Sequence, residues 1–209
     1  MLTQTLLRFT LLGEDWILYV LFALSLASVA IMLERLAFFG TRGVRGVDAL
    51  AQKLLMGDLA AASADLRETR GMEGEVLRAA LAVAPKGPDA VEEIIASGIA
   101  RQRMFYERSL AFLGTLGNNA PFVGLLGTVL GIMRAFQDLA TSAPGVTARG
   151  PQTVMAGISA ALVATAVGLF VALPAVVAFN AFQRWLRAIT ARTNVLGHAL
   201  VAHLRARQE

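Results

Sequence analysis

The chain has 209 residues, of which 56% are hydrophobic and only 16% charged. Globular chains are nearer half apolar and a quarter charged, so this excess indicates membrane-spanning segments and argues against a soluble enzyme, a disordered protein or a fibrous repeat. The sequence contains no cysteine, which excludes disulfides and thiolate chemistry. Its formal net charge of +4 is not gathered in a Lys/Arg-rich run, so we expect no nucleic-acid partner.

The first fifteen residues place Leu2, Leu6 and Phe9 at helical spacing. No basic region precedes these apolar residues, and no small-residue cleavage site lies before Trp16. The pattern predicts an interfacial amphipathic helix over residues 1–15 rather than a cleaved signal peptide.

Three segments lack charge for the ~20 residues that a helix needs to cross a bilayer. The third is free of charge from Gly150 to Gln183, which as a helix is ~50 Å long and exceeds a ~30 Å hydrocarbon core. Its excess must project from the membrane or pack against protein. The uninterrupted pattern from Asp89 to Gln137 predicts one helix that enters the membrane as the second span. We predict transmembrane helices over 16–39, 109–137 and 151–185, a helical region over 40–108, a hairpin over 138–150 and a C-terminal helix over 186–209. Within the region over 40–108, Asp58 is predicted to cap the start of a helix and Pro88 to lie in the first turn of another.

Arginines beside the spans indicate the orientation. Nine lie on the side of residues 40–108 and the C-terminus, against three on the other side. Because cytoplasmic loops carry the excess of Lys and Arg, residues 40–108 and 186–209 are predicted to be cytoplasmic and the N-terminus to be outside.

Spans two and three are rich in glycine and alanine. The third span places Ala156, Ala160, Ala164, Gly168 and Ala172 four residues apart, a pattern that lets helix backbones approach closely. A hairpin between the two spans accounts for part of this pattern, but the glycines of span two fall on several sides. This favours an all-α integral membrane protein that assembles as a homo-oligomeric bundle, with spans two and three inward and span one at the lipid. The predicted positions of close packing and helix kinks are Pro121, Gly124, Gly127, Gly131, Ala156, Ala164, Gly168, Ala172 and Pro174.

Ionisable residues are absent from 109–133 and from 150–183. A proton relay needs an ionisable group at membrane depth, so this chain alone cannot form a complete proton pathway. Ser159 has no base within its span, and His198 and His203 lie beyond the membrane, where they are predicted to be surface residues. We therefore predict no catalytic residue, no metal site, no cofactor and no enzyme activity.

Four short runs, two in the second span and two in the third, carry a resemblance to a known family. They are NAP and GLLGTVLGIM, at 119–121 and 124–133, and ALVATAVGL and ALPAVV, at 161–169 and 172–177. The chain here resembles the MotA/TolQ/ExbB proton-channel family, and its three-span layout favours the ExbB/TolQ branch over four-span MotA.

The resemblance implies a pentamer of this subunit around a dimer of a single-span ExbD/TolR-like protein, whose membrane aspartate carries the ion, most simply H⁺. Thr128 and Thr165 correspond to the family's pore-side threonines and would line the ion pathway. The complex would use the proton motive force to do mechanical work on the cell envelope, as in TonB/Tol-like energy transduction or gliding-type motility.

The chain departs from its relatives at Ala160, where many ExbB and TolQ members have glutamate. The alanine removes an ionisable group and leaves motors other than the iron-siderophore and Tol-Pal systems open. A passive membrane scaffold, which holds a partner helix without coupled ion flow, fits the lack of ionisable residues equally well. A membrane aspartate in the partner would separate the two hypotheses.

Overall fold

The computed structural model describes residues 15–42, 46–141 and 150–208, and this part of the chain contains helices but no strand. The interfacial helix predicted over 1–15 and most of the hairpin predicted over 138–150 lie outside the described residues. The helices are α1 (Asp15–Gly40), α2 (Val47–Leu55), α3 (Leu59–Glu68), α4 (Met72–Val83), α5 (Pro88–Glu107), α6 (Leu110–Thr141) and α7 (Gly150–Ala206), with a short 3₁₀ turn at Ala84–Lys86.

Three helices are long and apolar enough to cross a membrane, by length and composition. They are Trp16–Gly40, Leu110–Ala140 and Val154–Ala206, which agree in number and place with the three predicted spans. The predicted all-α architecture with three candidate membrane-spanning helices is therefore confirmed.

Helix α7 is much longer than a bilayer is thick. Its 57 residues correspond to ~85 Å of helix against a ~30 Å hydrocarbon core. The boundary predicted at residues 185/186 falls within α7, so the third span and the C-terminal helix are one continuous rod.

The helix predicted from Asp89 to Gln137 is two helices. Helix α5 ends at Glu107 and α6 begins at Leu110, although Arg108 keeps helical backbone angles. No proline or glycine marks this point, which is why the sequence pattern gave no sign of it. The Ser109 hydroxyl at the junction accepts a 2.9 Å hydrogen bond from Arg35 Nη2, and the Arg35 side chain is 8% exposed.

The chain divides into two compact units. The first comprises residues 1–32 and 112–179 and contains most of the three apolar helices. Ile17 and Leu21 of α1, both 0% exposed, pack against a cluster that includes Leu116, Ala120 and Val171. Helix α1 therefore has one packed face, and its opposite face leaves large apolar side chains exposed, as expected for a helix at the lipid.

The second unit comprises residues 33–111 and 180–209, with α2 to α5 and the ends of α1 and α7. Asp58 begins α3 as predicted, because its carboxylate accepts a 3.1 Å hydrogen bond from the Ala61 amide. Pro88 lies in the first turn of α5, also as predicted. Ring contacts, most of them edge-on, join an aromatic cluster that the sequence analysis did not identify: Phe38, Phe39, Tyr106, Phe182 and Trp185.

Candidate ion-pathway site

The candidate site lies in the first unit, where α6 and α7 cross with their backbones almost in contact. A Cβ atom added at Gly124 would lie 2.7 Å from the Ala164 carbonyl oxygen and 3.2 Å from Gly168 Cα. A Cβ at Gly168 would lie 2.7 Å from the Ala120 carbonyl oxygen. Only glycine fits at these two positions, since each of these neighbouring atoms belongs to the facing backbone and cannot rotate away. The crossing thus depends on the absence of two side chains.

This close approach brings together the two threonines predicted from the resemblance. The hydroxyl oxygens of Thr128 and Thr165 lie in hydrogen-bonding contact across the two helices. The Thr128 hydroxyl also lies 3.1 Å from the Ala161 carbonyl oxygen and 3.3 Å from that of Gly124. A hydroxyl donates one proton at a time, so Thr128 can exchange among these three acceptors.

The two hydroxyls differ in their access to the surface of the chain. Thr128 is 9% exposed, whereas Thr165 is half-buried and presents part of its side chain outward. Thr165 is therefore the member of the pair that a group outside this chain could reach. Hydroxyls can donate and accept hydrogen bonds at membrane depth, but they do not titrate in the physiological range, so this pair can guide a proton and cannot store one.

Other predicted packing residues surround this pair. Ala164, 0% exposed, faces Gly127, where an added Cβ would lie 2.7 Å from Ala164 Cβ. Gly131 and Ala172 are also buried. Gly127 and Ala164 therefore belong to the contact between α6 and α7, which also includes Gly117 against Val176.

The stripe of small residues predicted on α7 does not act as one surface. Ala164, Gly168 and Ala172 are buried against the chain itself, whereas Ala156 and Ala160 are exposed. Residues four apart turn by about 40° per step around a helix, so the stripe winds from one face to another. Ala160 thus lies on a free face, next to the buried Ala161 rather than within the contact.

The two prolines lie inside continuous helices. Pro121 is half-buried in α6, and Pro174 is exposed in α7. Each proline removes one backbone donor, so a carbonyl oxygen one turn earlier is left without its usual partner. Neither proline ends its helix.

The sequence analysis missed a buried acid in the second unit. Glu73 in the first turn of α4 is 0% exposed, and neither carboxylate oxygen has a hydrogen-bond partner among the described residues. Burial raises the pKa of Glu73, and the positive charge of Arg192 opposes part of that rise. Burial also raises the pKa of Tyr106, whose hydroxyl oxygen accepts a hydrogen bond from the Met72 amide. The run MEGEVL holds two glutamates, Glu73 and the exposed Glu75, and its sequence does not distinguish the buried one.

Within the described ranges, no group of three His, Asp or Glu side chains is placed to hold a metal ion.

These features define a polytopic α-helical membrane protein whose second and third spans pack through glycines around a pair of hydroxyls. A model of the MotA/TolQ/ExbB proton channel family matches residues 68–194, more than half of the chain, so the chain belongs to that family and the resemblance read from its sequence is confirmed. The family is one of proton channels rather than of enzymes.

Relatives in the same family match the chain in part. It is 50% identical over 100 residues to the Tol-Pal system protein TolQ of Pseudomonas aeruginosa, covering 46% of this chain and 42% of that protein. It is 49% identical over 77 residues to the biopolymer transport protein ExbB of Helicobacter pylori, covering 37% and 50%. With ExbB of Xanthomonas campestris it shares 37% identity over 111 residues, covering 53% and 42%. The chain spans about half the length of the curated relatives that it matches. Together with the three apolar helices, these relatives indicate an inner-membrane protein.

Proposed function

We propose that this chain is the stator-type subunit of an inner-membrane motor that uses the proton motive force to do mechanical work on the cell envelope. The observation that carries the proposal is the Thr128–Thr165 hydroxyl pair, held between two apolar stretches, 109–133 and 150–183, that contain no ionisable residue. Such a pair is suited to hydrogen-bond a carboxyl group supplied by another protein.

The ion carrier in this proposal is an aspartate in the single span of an ExbD/TolR-like partner, present as a dimer within a pentamer of this subunit. The half-buried Thr165 faces outward from its own chain and is the hydroxyl that such an aspartate would meet. A proton that crosses 100 mV releases ~2.3 kcal/mol from the electrical term. This energy can bias a low-friction movement between helices, but it cannot break a well-packed interface.

The orientation in this proposal places the N-terminus in the periplasm and the second unit in the cytoplasm. The excess of arginine around that unit supports it. Ala160, on the free face of α7, supplies no carboxylate, so in this chain the partner's aspartate is the sole carrier, and H⁺ is the simplest ion.

The test is to coexpress the chain with a single-span ExbD/TolR-like protein, reconstitute the purified complex in liposomes and measure proton flux with a pH-sensitive dye. Thr128→Val and Thr165→Val keep the side-chain shape but remove a hydroxyl, so each should lower the flux without loss of the complex. Thr115→Val is the matched control, because Thr115 is an exposed threonine of the same helix. It should leave the flux unchanged.

Two results would contradict parts of this proposal. Full flux in both the Thr128 and Thr165 variants would remove these hydroxyls from the pathway. A stable complex that conducts no protons and whose partner lacks a membrane aspartate would instead support the passive scaffold. The lack of ionisable residues in the spans is also consistent with a scaffold.

A further inference from the structure

An open cleft of about 720 Å³ lies in the second unit, between the end of α1, the end of α3 and α7. Its walls carry three arginines, one from each of three chain segments: Arg42 after α1, Arg70 after α3 and Arg192 in α7. None of the three takes part in an ion pair with another described residue. Convergence of unpaired guanidinium groups on one cleft is the arrangement that binds phosphate.

Two carboxylates also line the cleft, but they do not neutralise it. Asp65 already forms a 2.6 Å ion pair with Lys53, which leaves Glu68 as the only lining acid without a basic partner among the described residues. Three arginines against one glutamate give the cleft a formal charge of +2. An anion is therefore the favoured occupant.

Aromatic rings hold part of this cleft in place. The Arg42 guanidinium lies 3.9 Å from the centroid of the Phe38 ring, a stacking that fixes the planar group and leaves its N–H edges free. Phe39, 1% exposed, and Trp185 pack together below it, with ring centroids 5.3 Å apart.

The position of the cleft indicates where the anion comes from. The apolar span of α1 ends at Gly40, and the charge-free run of α7 ends at Gln183, two residues before Trp185. The apolar stretches of α1 and α7 therefore both end at the cleft. Tryptophan at the end of such a stretch is typical of the headgroup level of a bilayer. Phosphate at this level belongs to phospholipid.

An exposed apolar track leads along α1 to the same point. Leu33 and Leu36 are 63% and 56% exposed and lie on one helix face with Gly40, at the spacing i, i+3, i+7. No heavy atom lies within 4 Å of where a Gly40 Cβ would be, so the track enters the cleft without obstruction. A soluble phosphate would use the arginines alone, whereas an acyl chain would also cover these two leucines.

We propose that this cleft binds the headgroup of an anionic phospholipid, with the phosphate held by Arg42, Arg70 and Arg192 and an acyl chain lying along Leu33 and Leu36. Neither the stator function nor the direction of insertion is needed for this site. A bound lipid would fix the ends of α1, α3 and α7 to one another at the membrane surface.

The experiment uses the tryptophan in the cleft as the probe. The sequence has two tryptophans, so Trp16→Phe leaves Trp185 as the only indole. Short-chain phosphatidylglycerol, phosphatidylcholine and inorganic phosphate are titrated separately into the purified full-length protein in detergent. We expect saturable fluorescence change with phosphatidylglycerol, none with phosphatidylcholine and a much weaker response to inorganic phosphate.

Arginine variants then test the site. Arg70→Gln and Arg192→Gln should each raise the phosphatidylglycerol midpoint about fivefold, the change that corresponds to about 1 kcal/mol for each arginine near an anionic lipid. Arg70 is exposed and unpaired, so its variant keeps the test valid if loss of Arg192 beside the buried Glu73 disturbs folding. Arg187→Gln is the matched control: it removes the same charge from an exposed position of α7 outside the cleft and should shift the midpoint less than about twofold.

Three results would overturn the proposal. Equal weakening by Arg187→Gln would reduce the effect to general charge attraction. A response to phosphatidylcholine equal to that with phosphatidylglycerol would show that the arginines do not select an anionic headgroup. Saturation by inorganic phosphate at the phosphatidylglycerol midpoint would assign the cleft to a free phosphate-bearing solute instead of a lipid.

Discussion

The most direct test of the contact between α6 and α7 is the substitution Gly124→Ala. In Gly124→Ala, the new Cβ would lie 2.7 Å from the Ala164 carbonyl oxygen and 3.1 Å from Thr165 Cα. Both neighbours are backbone atoms of a helix, so the relief must come from separation of the helices by several tenths of an ångström. Such overpacking costs about 1–3 kcal/mol, or roughly a 5- to 150-fold change in the unfolding equilibrium constant.

The separation should also weaken the hydroxyl contact beside it. Thr128 and Thr165 lie one turn or less from this crossing, and their contact depends on the distance between the backbones. We therefore expect Gly124→Ala to lower both the free energy of unfolding and the proton flux. Unfolding in mixed micelles with increasing SDS, followed by circular dichroism, measures the first quantity.

The control is another glycine-to-alanine change. At Gly40 no heavy atom lies within 4 Å of the added Cβ, so Gly40→Ala reports the effect of the methyl group without a clash. The difference between the two variants is the cost of the close approach. If Gly124→Ala were as stable as Gly40→Ala and kept its flux, the argument that only glycine fits this crossing would be wrong.

Three further predictions address the stripe on α7, the position of the family glutamate and the buried acid. Ala164→Leu should lower the stability of the chain itself, because Ala164 is fully buried against α6. Ala156 is exposed, so Ala156→Leu should disrupt only the oligomer. Thermal melting in detergent measures the first effect, and native mass spectrometry measures the second. Ala160→Glu should reduce assembly or proton flux, since an unpaired carboxylate at the centre of a membrane helix costs ~2.5 kcal/mol or more. Ala160→Gly should have only a mild effect. Higher flux with glutamate and no flux with glycine would instead show that position 160 is a remnant of the family's carboxylate site. The pKa of Glu73 is raised above its ordinary value of 4.5, so the unfolded chain ionises first and stability falls as pH rises from 4.5 through the folded-state pKa. In thermal melts above pH 4.5, Glu73→Gln should reduce this loss of stability with rising pH. Glu93 is exposed, so the control Glu93→Gln should leave the loss unchanged. An unchanged pH profile in Glu73→Gln would contradict the argument from burial.

The sequence by itself determined the membrane architecture. Three charge-free runs of sufficient length, the N-cap at Asp58 and the first-turn proline at Pro88 are local or one-dimensional signals, and each was found where it was predicted. The family could also be recognised from the sequence, because its motifs are dense runs of glycine, alanine and threonine in spans two and three.

The tertiary structure decided which of those small residues touch. Spacing of four residues predicted one stripe on α7, but a helix turns by 100° per residue, so the stripe winds: Ala164 and Gly168 lie against α6, whereas Ala156 and Ala160 are exposed. Thr128 and Thr165 lie on different helices, 37 residues apart, and the approach that joins their hydroxyls depends on the absence of side chains at Gly124 and Gly168. Contact between helices is a property of two surfaces together, which periodicity along one helix cannot give.

The same reason hid the charged features of the second unit. Arg42, Arg70 and Arg192 are far apart in the chain and read as separate arginines beside the spans, yet the fold places them around one cleft. Glu73 reads as an ordinary charged residue in the first turn of a helix, and only the helices packed around it remove its carboxylate from water. The sequence specifies the number and sign of these charges, but their desolvation and convergence arise from packing between segments that are distant in the chain.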